Sequence, residues 1–283
     1  MLNFEPAKIQ LNPNANCYEK KYIQDIFFDR IFQKFLFIGD ICNMIQMLSS
    51  FFKKTGLLLL SLAVFFSSCV KNRYTWSTEK EYYKLPMWKA HVRNFRKIKM
   101  APNTAKVFIG DSITEGFDLR RHLNDSTTVN MGIGGDFTSG VLKRIDIAAK
   151  LKPAKIFVMI GINDILKDID QSRIENNYSQ IISYVKEHCS ETKIYIQSNL
   201  PTTAMGGNDE SNLKYADRVQ NLNIFLQGLC TANGITFVNL YPYFEIPGMK
   251  INPECAYDGL HLSDNGYKVW SELIKDIVNA EEP

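Results

Sequence analysis

Short apolar runs alternate with longer amphipathic stretches from Lys106 to the end of the chain. Such an alternation predicts a parallel sheet with helices on both faces, joined by right-handed crossovers. Several runs are almost continuously apolar and β-branched, which is typical of strands covered on both sides. The predicted strands are residues 106–110, 128–131, 155–160, 193–199 and 235–240.

The stretches between these runs have the periodicity of amphipathic helices. The predicted helices cover a segment that begins after Pro86, residues 171–189, residues 212–233 and a last segment that contains Trp270. Gly234 follows the third of them, where a helix commonly ends in a glycine. We assign the apolar stripes to the core; in the third helix they are Leu213, Ala216, Val219, Leu222, Leu226 and Leu229.

The bulk composition excludes several classes of function. A chain of 283 residues with 45% hydrophobic residues is long enough for one well-buried domain with extensions. The net charge of +3 is small and its lysines and arginines are scattered, so nucleic acid is not an expected partner. Only 4 histidines are present, none of them in pairs with metal-ligand spacing, and the 6 cysteines form no CxxC motif. We therefore expect no metal and no disulfide framework.

The stretch "MLSSFFKKTGLLLLSLAVFFSSC" begins at Met47 and has the order of an export signal. Two lysines precede an apolar run at 57–66 that is too short to span a bilayer, and small residues precede Cys69. The stretch resembles a bacterial lipoprotein signal. That resemblance implies removal of residues 47–68, lipidation of Cys69 and an exported protein anchored in a membrane, on the periplasmic side or at the cell surface.

Because an export signal acts at an N-terminus, its position predicts how the rest of the chain is organised. Residues 1–46 are predicted to be a mis-assigned extension without a role in the fold. Residues 69–103 are predicted to form a linker and a helix that packs beside the domain, and residues 104–283 the domain itself.

Ser112 follows the first predicted strand, in "VFIGDSITEG". Gly, Asp and Ser are ordinary residues of a strand end, so turn chemistry is one interpretation. The other is a nucleophile, because binding sites of parallel sheets form beyond the carboxyl ends of the strands. A serine nucleophile needs a base and a group that orients it, and Asp258 and His261 are close enough for one loop to present both. His91, His122 and His188 are assigned to the packing helix, a charged surface run and a helix end.

An oxyanion needs hydrogen-bond donors aimed at it. The candidates are the amides of Ser112, Gly134 and Gly135 and the side chain of Asn163. Glycine and asparagine also suit turns, so none of them is decisive alone. Asp111 and Asp164 are interpreted as turn or capping residues. The glycine cluster is not a dinucleotide motif, because Phe137 stands in place of the third glycine, and no GxSxG motif is present.

Four blocks together resemble the SGNH hydrolases, also called GDSL lipases or esterases: "GDSIT" at 110–114, "GIGGD" at 132–136, "GIND" at 161–164 and "DGLH" at 258–261. The resemblance spans about residues 104–280 and implies a flavodoxin-like, three-layer αβα fold with a five-stranded parallel sheet. It also implies roles for the residues of the blocks. These are Ser112 as nucleophile, His261 as base, Asp258 as its orienting acid, and the amide of Ser112 with Gly135 and Asn163 as oxyanion donors.

The segment "VNMGIGGDFTSGVLKRI" is similar to the platelet-activating-factor acetylhydrolase-like branch, which favours short acyl groups. We therefore expect a serine esterase without a cofactor that removes short acyl groups, acetyl above all. The polar stretch 200–212 favours carbohydrate esters. Lysophospholipids, other lipid esters and thioesters are the alternative substrates, and a glycan-binding module or an acyltransferase are the alternative classes. Because His261 must be neutral to act as base, activity is predicted to rise through roughly pH 6–7.

Overall fold

The structure, a computed structural model, describes residues 82–203 and 209–281, with the backbone alone at 209–212. The predictions for residues 1–46, for the export signal and for Cys69 lie outside the described residues. Within the part that is described, no helix is both long and apolar enough to cross a bilayer.

The described chain alternates strands and helices as predicted. The strands are β1 Lys106–Gly110, β2 Thr128–Gly132, β3 Lys155–Met159, β4 Lys193–Gln197, β5 Thr236–Val238, β6 Glu245–Ile246 and β7 Lys250–Ile251. The helices are α1 Pro86–Phe95, α2 Ser112–Glu115, α3 Leu119–Leu123, α4 Thr138–Ala149, α5 Ile162–Leu166, α6 Gln171–His188, α7 Asp209–Asn233, α8 Tyr241–Phe244 and α9 Asp264–Asn279.

Strands β1 to β5 form one parallel sheet in the order β2-β1-β3-β4-β5. The β1–β2 pairing runs from Lys106 opposite Thr128 to Gly110 opposite Gly132, so both strands end at the same edge. Every residue of β3 is buried, as expected for the centre of a sheet with helices on both faces. The predicted three-layer α/β fold with a five-stranded parallel sheet is confirmed.

The fifth strand is shorter than the predicted residues 235–240. The backbone amides of Leu240 and Tyr241 both donate to the hydroxyl of Ser198, at 2.9 Å each, instead of to a neighbouring strand. The strand predicted at 193–199 is shortened for a related reason, since the amide of Asn199 donates to the side chain of Asn223. Side chains that accept backbone hydrogen bonds compete with the sheet ladder.

The predicted helices are observed with small shifts of their ends. Most of the predicted stripe of α7 is buried, including Ala216, Val219, Leu222 and Leu226. Leu213 was predicted to face the core and this is wrong, because 42% of its surface is exposed and the buried stripe begins one turn later. Gly234 has a φ of +63°, the left-handed conformation expected of a residue that ends a helix.

A buried ion pair joins the sheet to the segments around it. Arg144 of α4 donates to the carboxylate of Asp136 at 2.9 Å, with the two side chains 1% and 0% exposed. The same guanidinium donates to the carbonyl oxygens of Met131 and Gly110, at the ends of β2 and β1. Trp88 of α1 donates to Asp136 at 3.1 Å, so α1 is attached to the same carboxylate.

We predict that Arg144→Met destabilises the fold strongly. The substitution leaves the carboxylate of Asp136 buried without its cation, and removal of one partner of a buried pair costs about 3–5 kcal/mol. Urea unfolding followed by circular dichroism measures the free energy of unfolding. Lys150→Met is the matched control, since Lys150 pairs with Asp146 at the exposed end of the same helix. Equal unfolding free energies for the two variants would contradict the prediction.

Candidate active site

The sheet edge places Ser112 immediately after β1. Asp111 accepts a hydrogen bond from the amide of Ile113 at 3.0 Å and caps the short helix α2, as predicted for a capping residue. Gly132 lets α2 lie directly on the end of β2, because a Cβ atom there would be 2.1 Å from the backbone nitrogen of Glu115. As a result, Ser112 is held half-buried at the carboxyl edge by rigid elements on both sides.

A single tight turn presents both Asp258 and His261. One carboxylate oxygen of Asp258 accepts the backbone amides of Leu260 at 3.0 Å and His261 at 2.7 Å. The other oxygen lies 2.6 Å from Nδ1 of the His261 ring. Gly259 between them has a φ of +80°, a conformation that favours glycine. Because Asp258 and His261 are three residues apart, the side chain of Asp258 can both hold the turn and orient the imidazole.

The imidazole of His261 joins this turn to Ser112. Its Nε2 is 2.9 Å from Oγ of Ser112, across 149 residues of sequence. Because the carboxylate of Asp258 can only accept, Nδ1 carries the proton and Nε2 of the neutral ring accepts from the hydroxyl. The structure therefore brings Ser112, His261 and Asp258 into one hydrogen-bonded chain.

Burial and hydrogen bonds act in opposite directions on the pKa values of Asp258 and His261. Burial alone would raise the pKa of Asp258, but the hydrogen bonds from the ring and amide of His261 bring that pKa below its usual range. Burial alone would lower the pKa of His261, but the hydrogen bond and charge of Asp258 outweigh it and raise that pKa. The charge of Asp111 adds to this increase, and burial raises the pKa of Asp111 itself to about 7.

The glycine loop after β2 presents one amide without an acceptor in the described part of the chain. The amide of Gly134 donates to the carboxylate of Glu115 at 2.8 Å. The amide of Gly135 finds no acceptor among residues 82–203 and 209–281. Asn163 donates from its side-chain nitrogen to the carbonyl of Asp136 at 3.0 Å, with one of its two hydrogens. A β-carbon built on Gly134 would lie 3.8 Å from Cβ of Ser112, so this loop passes beside the serine.

Two other predicted residues have roles within the fold. Asp164 accepts from the amide and the hydroxyl of Thr138, at 2.9 and 2.6 Å, and thereby caps α4 from a distance. The assignment of His122 to a charged surface was wrong. Its side chain is 5% exposed and packs against Phe117 and Tyr267, and burial lowers its pKa.

Three residues that the sequence analysis did not select surround Gly134. Tyr82 donates a short hydrogen bond to the carbonyl oxygen of Gly134, and His91 of α1 lies 3.2 Å from the carboxylate of Glu115. The sequence alone could have indicated that Glu115 lies near the site, because it follows Ser112 by three residues on one helix. Tyr82 and His91 carry no such signal, because only the packing of α1 and of the residues just before it brings them here.

Ser112, His261 and Asp258 form one hydrogen-bonded chain at the carboxyl edge of a parallel sheet. Acyl-group hydrolases use this arrangement of a hydroxyl, an imidazole and a carboxylate. Comparison with known families agrees. Residues 108–269, more than half of the chain, match the model of the GDSL-like Lipase/Acylhydrolase family. The chain belongs to this family and is a hydrolase that acts on esters.

Solved structures of similar fold include a protein from Streptococcus pneumonia that is provisionally described as a platelet activating factor. It is 30% identical, with a TM-score of 0.62, over 70% of this chain and 95% of that one. A provisionally described acylhydrolase from Bacteroides fragilis is 24% identical, with a TM-score of 0.61, over 73% and 98% of the two chains. A mutant of an acetylxylan esterase from Geobacillus stearothermophilus is 17% identical, with a TM-score of 0.52, over 65% and 98%.

A curated relative is the N-acylneuraminate cytidylyltransferase of Escherichia coli O18:K1:H7, which is 25% identical over 175 residues. The match covers 60% of this chain but spans only 39% of that enzyme. The similarity therefore concerns less than half of the relative.

The structure predicts that His261 titrates above the ordinary histidine pKa of 6.5 and His122 below it. NMR titration of the ring carbons, assigned by single substitutions, measures both values in one sample. Asp258→Asn should lower the pKa of His261 and leave that of His122 unchanged, because only the first ring bonds to Asp258. Since the charged form of His261 is favoured on folding, its contribution to stability is present below pH 6.5 and is lost as the pH rises through the folded pKa. A His261 pKa below that of His122 would contradict the prediction.

Proposed function

We propose that the protein is a serine esterase that removes short acyl groups, acetyl above all, from hydroxyl groups of carbohydrates. The observation that carries this proposal is the hydrogen-bonded chain from Ser112 through His261 to Asp258. Ser112 is the nucleophile, His261 the general base and Asp258 the acid that orients the ring and stabilises its charged form.

In the first half of the reaction, Oγ of Ser112 attacks the carbonyl carbon of the ester while Nε2 of His261 takes its proton. The negative oxygen of the tetrahedral intermediate accepts hydrogen bonds from the amides of Ser112 and Gly135 and from the side chain of Asn163. Gly135 is chosen over Gly134 because the amide of Gly134 donates to Glu115, whereas that of Gly135 has no acceptor among the described residues. His261 then protonates the leaving alcohol, and the acyl group remains on Ser112.

In the second half, water replaces the alcohol. His261 accepts a proton from the water as its oxygen attacks the acyl-enzyme carbonyl, and returns that proton to Oγ of Ser112 when the acid leaves. Because the pKa of His261 is raised, the base becomes available at a higher pH than the reference value implies. The rising limb predicted at roughly pH 6–7 from the sequence is therefore expected to lie above the ordinary histidine pKa.

The substrate class is supported by the polar and aromatic surroundings of the turn. The amide of Thr203 and the hydroxyl of Thr202 both donate to the carbonyl oxygen of Gly259, so these two polar residues lie against the turn of His261. Tyr257 is 67% exposed and its ring stacks on that of His261 at 5.8 Å. Hydroxyl-rich ligands suit a rim of polar groups with an exposed aromatic ring. Among the proteins of similar fold, one is named as an acetylxylan esterase.

We also propose that the enzyme acts outside the cytoplasm, held to a membrane by a lipid on Cys69. The support is the sequence of residues 47–69 alone. In that setting, acetylated glycans are substrates that an anchored enzyme can meet without a soluble carrier.

The role of Ser112 is tested with a fluorophosphonate probe. The wild-type protein is expected to form one covalent adduct, and Ser112→Ala to form none and to lose at least about 10³-fold in kcat/KM for p-nitrophenyl acetate. Intact mass spectrometry measures the adduct. Ser139→Ala is the control. Ser139 of α4 contacts Tyr83 and lies outside the hydrogen-bonded chain of Ser112, His261 and Asp258. Turnover by Ser112→Ala equal to that of the wild type would overturn the proposed nucleophile.

The acyl group and the acceptor are tested separately. Across p-nitrophenyl esters from C2 to C12, kcat/KM is expected to be highest at C2 and to fall with chain length. Release of acetate from acetylated xylooligosaccharides, compared with release of fatty acid from lysophosphatidylcholine, then separates carbohydrate from lipid substrates. A maximum at C8 or longer together with lysophospholipid cleavage would replace the carbohydrate proposal by a lipid esterase.

A further inference from the structure

The peptide group between Gly134 and Gly135 carries the amide that the proposed mechanism uses. Its nitrogen belongs to Gly135 and its carbonyl oxygen to Gly134. No peptide bond of the described chain is cis, so the N–H and C=O of this group point in opposite directions. Whatever binds the carbonyl of Gly134 therefore also sets the direction of the amide of Gly135.

A peptide group between two glycines is the least restrained that a chain can contain. Neither residue has a Cβ atom, so both can reach positive and negative φ at similar cost. Gly135 has a φ of +78° here. A rotation of this peptide by half a turn would present the carbonyl, an acceptor, where the oxyanion needs a donor. Some contact outside the two glycines must favour one orientation.

The hydroxyl of Tyr82 supplies that contact, because it donates a hydrogen bond to the carbonyl oxygen of Gly134. Tyr82 is fully buried, and its ring makes an edge contact with Phe137 at 5.6 Å. Burial raises the pKa of Tyr82, so its hydroxyl remains protonated and able to donate. The preceding peptide is held from the other side, where Glu115 accepts the amide of Gly134 at 2.8 Å.

We propose that Tyr82 is a positioning residue of the active site, which holds the Gly134–Gly135 peptide so that the amide of Gly135 faces the substrate oxygen. This inference rests on the proposed function. It assigns part of the transition-state geometry to a residue that precedes the four sequence blocks and the family match at residues 108–269. In this proposal, Tyr82 acts through the peptide that it binds and takes no part in the reaction itself.

The test is Tyr82→Phe, which removes the hydroxyl and keeps the ring. Complete loss of one oxyanion donor costs about 10²–10³ in kcat. The variant retains the donor but not its fixed direction, so we expect kcat for p-nitrophenyl acetate to fall by about 10-fold to 100-fold. KM and the midpoint of the pH–rate profile should stay as in the wild type, since the proposed role of Tyr82 is to orient a donor that acts in the transition state. A crystal structure of the variant should show the Gly134 carbonyl in a new or a mixed orientation.

Tyr83→Phe is the matched control. It removes the neighbouring hydroxyl, which contacts Ser139 of α4 instead of the glycine loop. A kcat for Tyr82→Phe within twofold of the wild type, or an equal loss in Tyr83→Phe, would overturn the positioning role. Ser112→Ala in the same assay separates this from failure of the proposed function. If Ser112→Ala is inactive and Tyr82→Phe is fully active, only the positioning role of Tyr82 is refuted. If Ser112→Ala is fully active, the proposed function and the positioning role are both refuted.

Discussion

The buried pair of Asp136 and Arg144 is the interaction on which the site's geometry depends. Arg144 contacts the carbonyl oxygens that end β1 and β2, and Asp136 directly follows the Gly134–Gly135 peptide. The carboxylate also accepts from Trp88, which attaches α1. A buried ion pair gives little net stability, because desolvation offsets its attraction. Its effect here is geometric, because its hydrogen bonds join the ends of β1 and β2, the residue after the glycine loop, α4 and α1 in one network.

The two sides of the site are held by different means. The turn of Asp258 and His261 is mostly local, since one carboxylate accepts the amides of the turn and the ring that the turn presents. The serine and the glycine loop depend on contacts that are distant in sequence, from Tyr82 to Gly134 and from Arg144 to Gly110. In the proposed mechanism, a short peptide segment is therefore enough to orient the base, whereas the proposed oxyanion donors need the packed sheet and the docked α1. Loss of core packing should thus harm stabilisation of the oxyanion before it harms orientation of the base.

Much of the fold could be predicted because periodicity reports burial directly. The prediction of strand ends fails where side chains replace the expected backbone contacts: the hydroxyl of Ser198 ends β5 early, although Leu240 and Tyr241 beyond it are buried. His122 shows a related limit, because its charged neighbours in sequence face solvent while its own ring is enclosed by Phe117 and Tyr267. The meeting of Ser112 and His261 could be predicted for a topological reason. Parallel strands end at one edge, so residues that follow different strands meet there.

Tyr82 and Trp88 could not be found in this way, because they follow no strand and occur in no motif. Their contacts arise only when α1 and the residues just before it pack against the glycine loop, and contacts across about fifty residues of sequence leave no periodic trace. In the proposed mechanism, the motifs supply the reacting and donating groups, and the segment before them restricts the direction of one donor. Two chains with the same four blocks can therefore differ in catalytic rate if their preceding segments dock differently. The rate of such an enzyme is a property of the packed domain, since a donor stabilises the oxyanion only in the direction that its supports allow.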